Sequence, residues 1–256
     1  MGKLLKYYFK RDKWIILAML ALPLLASLTY FFLPKEVSLI IDSLTLGLSL
    51  TACAFIFLIR DYKRFYGEYS SFFGALPLKG KEIIGGRFIW FFFLGLWTCL
   101  ILLTKGLLFF VQVLNPPELG LVYQDIYQIL ASLSPSAILF WVLAAFISLG
   151  ASISLWLFVT SVGSEKFFRP LGIGGPFLVY VLIRILWTGV LFLLGKLLLD
   201  MGLVGMSLEG SQMAFSGMDK ASLLWSGSSL FVTVLGSVAL VLRSIYSHDV
   251  KLSTYL

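Results

Sequence analysis

Six times the sequence runs for about 20 residues or more with no more than two charges, and this repetition limits what the chain can become. The runs are Trp14 to Leu33, Val37 to Ile59, Phe88 to Leu114, Pro135 to Val162, Leu171 to Leu199 and Ser222 to Leu242. At about 1.5 Å per residue, each reaches across the roughly 30 Å of a bilayer's hydrocarbon core as a helix. Charged residues make up 13% of the chain, against about 25% in soluble domains. An all-α membrane protein follows, expected as a single transmembrane domain over residues 1–256 with no soluble domain appended.

The net charge of +7 does not point to nucleic acid, because the basic residues collect at the ends of the apolar runs instead of forming a stripe. The N-terminus, the stretch Arg60 to Arg87, the turn Gly163 to Arg169 and the tail from Arg243 carry 15 of the 20. The loops on the other side hold Lys35 and Lys220. The positive-inside rule then places both termini and the central stretch in the cytoplasm of a multi-pass cell-membrane protein.

Residues 1–13 read as a helix lying in the headgroup layer, with Leu4, Leu5, Tyr8 and Phe9 flanked by Lys3, Lys6, Lys10, Arg11 and Lys13. The apolar run behind it continues to Phe32 without a small-x-small cleavage site, so it is expected to be retained. Between the second and third spans, residues 60–87 read as a cytoplasmic loop. Its uncharged segment Ser70 to Leu78 carries Phe72, Phe73 and Leu76, large apolar residues whose place on a loop marks a contact surface. Pro77 stops a helix there, and a new one can begin at Lys79 to Glu82 and run into the third span. Two further stretches, Leu119 to Leu133 and Asp200 to Ala221, are too polar to cross and are expected at the outer surface.

Little in the chain suggests chemistry of its own. Gly74 to Lys81 and Gly189 to Lys196 approach a phosphate-binding loop, but each has one residue too many between its glycines and lacks the hydroxyl after lysine. No Gly-x-Ser-x-Gly elbow and no pair of carboxylates within a span is present. Cys53 and Cys99 sit in apolar runs without metal-ligand spacing, and the single histidine, His248, lies in the tail. The remaining oddity is Arg184, a charge near the middle of the fifth run, expected either to be satisfied by carbonyls freed near Gly174 to Pro176 or by a neighbouring helix, or to face a translocation cavity or subunit interface.

The order of these parts, with Phe73, Leu76, Pro77, Glu82, Ile83, Gly86 and Arg87 in the pattern F-x-x-L-P-x-x-x-x-E-I before span three, resembles the ABC type-2 exporter permeases, the transmembrane subunits of type V-like exporters. The resemblance implies that Phe72, Phe73, Leu76, Pro77, Lys79, Lys81 and Glu82 form a coupling element on a separately encoded ATPase, which would bind ATP and Mg. It implies that residues 200–221 are an outer re-entrant segment, and that the working unit pairs two membrane subunits with two ATPases. Amphipathic peptides, lipids or hydrophobic drugs would move outward. A lipid-directed membrane enzyme or scaffold, or a channel, would need no ATPase, and co-purification of one separates those readings from export.

Overall fold

The computed structural model describes residues 2–67, 79–113, 135–172, 174–201 and 220–252, helical apart from short turns. In chain order these are α1 (Gly2–Ser27), a 3-10 turn (Leu28–Phe31), α2 (Lys35–Phe65) and α3 (Gly80–Val113). Then come α4 (Pro135–Val162), a 3-10 turn (Arg169–Leu171), α5 (Gly174–Asp200) and α6 (Lys220–Tyr246), which runs into a π turn (Ser247–Leu252). Among the described residues six helices are long and apolar enough to cross a membrane, so this is a multi-pass, all-α membrane protein. The helices form two compact units, α1 to α3 in one and α4 to α6 in the other.

In the first unit α1 packs along α2 and α3. Its buried stripe begins with Leu4, Tyr8 and Asp12, one turn apart, and α3 answers with Ile83, Arg87, Trp90, Leu94 and Ile101 at alternating steps of four and three followed by a full heptad. Tyr8 stacks on Trp90 with centroids 5.2 Å apart and planes 12° from parallel, while Phe9 meets the same indole edge-on at 4.9 Å. Cys53 and Phe57 of α2 complete the core. Cys53 therefore behaves as the small buried hydrophobe its surroundings implied.

Two boundaries differ from the sequence reading. The expected break between a surface helix ending at Lys13 and a span starting at Trp14 is absent, because α1 is unbroken from Gly2 to Ser27. Its first three turns are held by the buried Tyr8 and Asp12, and Lys6, Lys10, Arg11 and Lys13 project from the exposed side. The stretch 60–87, read as a loop, is helical at both of its ends. α2 continues through Arg60, Asp61 and Arg64 to Phe65, because charges that looked like solvated loop residues are paired inside the unit, while α3 starts at Gly80, where the restart at Lys79 to Glu82 was expected. Phe72, Phe73, Leu76 and Pro77 lie outside the described residues, as do the stretch 119–133 and most of 200–221.

In the second unit α4 packs against α5 and α6. α4 and α5 meet through glycine at the turn between them. A Cβ on Gly163 would stand 2.5 Å from the Pro176 Cα, and one on Gly175 would fall on the Gly163 carbonyl oxygen. Gly172 supplies the left-handed backbone, φ +54°, that lets the chain enter α5. These glycines permit backbone contact, and Pro176 lies in the first helical turn, where its missing N–H would have had no helical partner. Gly175→Ala should lower the stability of the solubilised protein by about 1–3 kcal/mol, since a backbone atom cannot yield as a side chain can. A midpoint equal to the unmodified protein's in a detergent-unfolding titration would show that the two helices are not in contact there.

Candidate functional site

The most constrained chemistry lies where α2 ends and α3 begins. Asp61, one turn before the end of α2, accepts two hydrogen bonds from Arg87 of α3, from Nε at 3.1 Å and from Nη2 at 2.5 Å. Arg87 also donates from Nη1 to the Tyr66 hydroxyl at 2.7 Å, and its guanidinium lies over the Phe65 and Tyr66 rings at 4.9 and 5.1 Å. Neither charge meets solvent, with Arg87 0% and Asp61 2% exposed. A fork-to-fork pair of this kind fixes direction as well as distance, so it staples the two helix ends on either side of the connection 66–79.

A second pair ties α1 into the same region. Arg64 Nη2 donates to both oxygens of Asp12 at 2.8 Å, Arg60 Nη1 reaches Oδ1 at 3.0 Å, and the Arg64 guanidinium covers the Tyr8 ring at 4.9 Å. All three helices of the unit are therefore joined by charge at one end. At the other end Lys105 of α3 donates to Asp42 Oδ1 at 2.5 Å, to Ser27 Oγ at 2.5 Å and to the Pro23 carbonyl at 3.0 Å. Lysine has three donors, and each is used. Lys105 is only 4% exposed, because a carboxylate on α2 and the Pro23 carbonyl of α1 hold its ammonium inside the unit.

The residues named for coupling divide accordingly. The Lys79 N–H donates to Glu82 Oε2 at 3.1 Å while the Lys79 carbonyl accepts from the Glu82 and Ile83 amides, so this tetrapeptide caps α3 as half of a capping box. Lys79 and Lys81 are exposed, and Glu82 is half-buried as a cap. Asp12, Asp61, Arg64 and Arg87 were not recognised as pairing residues from the sequence. The usable signal was a single acid inside each basic cluster, KRDK around Asp12 and RDYKR around Asp61.

In the second unit Arg184 lies midway along α5 and is exposed, its Nε donating to Tyr180 Oη at 3.1 Å one turn earlier. It lines a groove of about 90 Å³ with Ser152 and Leu155 of α4, Trp187 of α5, and Thr233 and Ser237 of α6. Close by in sequence, Trp187 is seated where a Cβ on Gly236 would be, within 2.5 Å of ring atoms, so the α6 glycine shapes the groove. Arg243 near the end of α6 pairs with Glu165 at 2.7 Å and holds the turn after α4. Among the described residues no cluster of side chains could hold a metal ion.

The chain matches no protein-family model, no curated protein and no solved structure.

Proposed function

We propose that this chain is the membrane-spanning permease subunit of an ATP-driven exporter, working with a separately encoded ATPase and a second permease subunit. The observation that carries this reading is the Asp61–Arg87 staple on either side of the connection 66–79. A connection that merely joins two spans needs no rigid base. One that receives force does, because displacement of a loose loop would be absorbed before it reached the helices.

Here α3 begins with a capped turn at Lys79, is fixed to α2 eight residues later at Arg87, and continues unbroken to Val113. Through Asp12 the same base engages α1. A push on the loop would thus be delivered to three helices as one body. In this proposal Phe72, Phe73 and Leu76 fill a groove on the ATPase, while Lys79 and Lys81 set register from its rim, on the cytoplasmic side with both termini.

Replacing both Phe72 and Phe73 with alanine should leave the membrane subunit folded and release the ATPase, since aromatic anchors at an interface centre each cost about 2 kcal/mol or more on truncation. Lys81→Glu should weaken pairing chiefly at low salt. Co-purification and substrate-stimulated ATP hydrolysis read both. Full ATPase retention and stimulation in the double alanine variant would remove the loop from the coupling role, and lipid turnover or ion conductance by the chain alone would replace export altogether.

A further inference from the structure

Arg184 raises a question of electrical balance. It stands about 15 Å along α5 from Gly174, taking about 1.5 Å per residue, and so near the middle of the candidate span Gly174–Leu198. An arginine at that depth costs on the order of 3 kcal/mol to insert and persists where something compensates it. Among the described residues no carboxylate reaches it, and its recorded contacts, a hydrogen bond and a cation–π contact at 5.2 Å, are both with Tyr180.

The compensating charge is not available from elsewhere in the spans. Their acids are Asp12, Asp42, Asp61, Glu82 and Asp249. Asp12 and Asp61 are bound to arginines, Asp42 is bound to Lys105, and Glu82 caps α3. Asp249 lies beside the very end of its span. A second copy of the chain brings the same inventory and the same deficit.

The groove fits a ligand that supplies that charge. Ser152, Thr233 and Ser237 each donate their hydroxyl hydrogen to the carbonyl one turn back, at 2.9, 2.8 and 2.6 Å, which leaves Arg184 as the strong donor in the lining. A groove of about 90 Å³ has room for a carboxyl group and its first methylenes. Exposed Phe177, Val181 and Phe192 continue the Arg184 side of α5 as an apolar stripe along which a hydrocarbon chain can lie.

We propose that this groove binds a membrane-dissolved, single-chain amphiphile through one carboxylate paired with the Arg184 guanidinium. It names the substrate class for the permease reading and rests on that reading, although binding itself requires neither ATPase nor ATP. A bulk phospholipid is the wrong source of the anion, because its phosphodiester stays ionised and at the interface, about 15 Å from the bilayer centre, whereas a carboxylic acid can reach that depth neutral and give up its proton on pairing with the guanidinium.

The test uses the full chain in neutral phosphatidylcholine nanodiscs, without ATPase, titrated with a brominated long-chain fatty acid or the matching brominated fatty alcohol while tryptophan fluorescence is followed. Trp187, in the groove wall, reports quenching locally. The acid should quench saturably and the alcohol only in proportion to its partitioning. Arg184→Gln should weaken acid binding by roughly tenfold or more, Arg184→Lys should retain part of it, and Trp187→Phe should remove the saturable quenching. Equal behaviour of acid and alcohol on the unmodified chain overturns the proposal without relying on any variant. So does competition by phosphatidylglycerol at the acid's own potency, which would make Arg184 a lipid contact. So would conversion of a dimer to monomers by Arg184→Gln with acid binding unchanged, which would make it a subunit contact. Acid binding with no ATPase ever retained would instead sink the exporter reading and leave the site standing.

Discussion

Arg87→Leu should lower the stability of the detergent-solubilised chain by about 3–5 kcal/mol, the range seen when one member of a buried ion pair is removed. The substitution deletes both bonds to Asp61 and the bond to Tyr66, and it leaves the Asp61 carboxylate in a site closed to solvent without the guanidinium. The paired variant Arg87→Leu with Asp61→Leu should recover most of the loss, because two apolar side chains of similar volume carry no desolvation penalty. Arg87→Lys should fall between, since an ammonium cannot present the fork that meets both carboxylate oxygens. Denaturation with sodium dodecyl sulfate, followed by tryptophan fluorescence, measures all three. If Arg87→Leu unfolds at the unmodified midpoint, the staple does not hold the helix ends and cannot pass a push on the connection 66–79 to them. If instead the paired variant is stable but no longer couples ATP hydrolysis to transport, the staple's role is transmission more than folding.

Lys105→Met should cost a similar amount, about 3–5 kcal/mol, by a different route. Lys105 is the cation that neutralises Asp42 inside the membrane, and it also ties Ser27 and the Pro23 carbonyl of α1 to α3. Without it a carboxylate that is 8% exposed remains inside a candidate span without its cation. Lys105→Met combined with Asp42→Asn should restore insertion and most of the stability, as neutral groups can share hydrogen bonds with Ser27. Membrane insertion yield and the unfolding midpoint report the two effects separately. Wild-type values for Lys105→Met alone would mean that Asp42 is satisfied by other groups and that the contact is incidental.

The two pairs also show why parts of this protein could be read from the sequence and parts could not. Pro135–Val162 emerged with the expected bounds, and the other spans within a few residues at most ends, because length and continuous apolarity are local properties that the bilayer tests segment by segment. The larger differences were at charged ends. α1 is unbroken across Lys13 and Trp14, and α2 runs six residues past Ile59. There a run of Arg, Asp and Lys reads as solvated loop unless its partners are known. The restart of a helix at Lys79 to Glu82 was visible, since a capping box spans only four residues.

What the sequence determined by itself is the solvent: six apolar runs allow no other environment, and they settle helix class and number through backbone hydrogen bonding alone. What the tertiary structure decided is which charge meets which. Asp12 meets Arg64 across 52 residues, Asp61 meets Arg87 across 26 and Asp42 meets Lys105 across 63. In a low-dielectric interior those choices turn a scatter of charged residues into a stapled bundle, while Arg184 is left without an acid in its own chain's described spans. Pairing energy depends on separation in space, and separation along the chain does not reveal it until helices have packed.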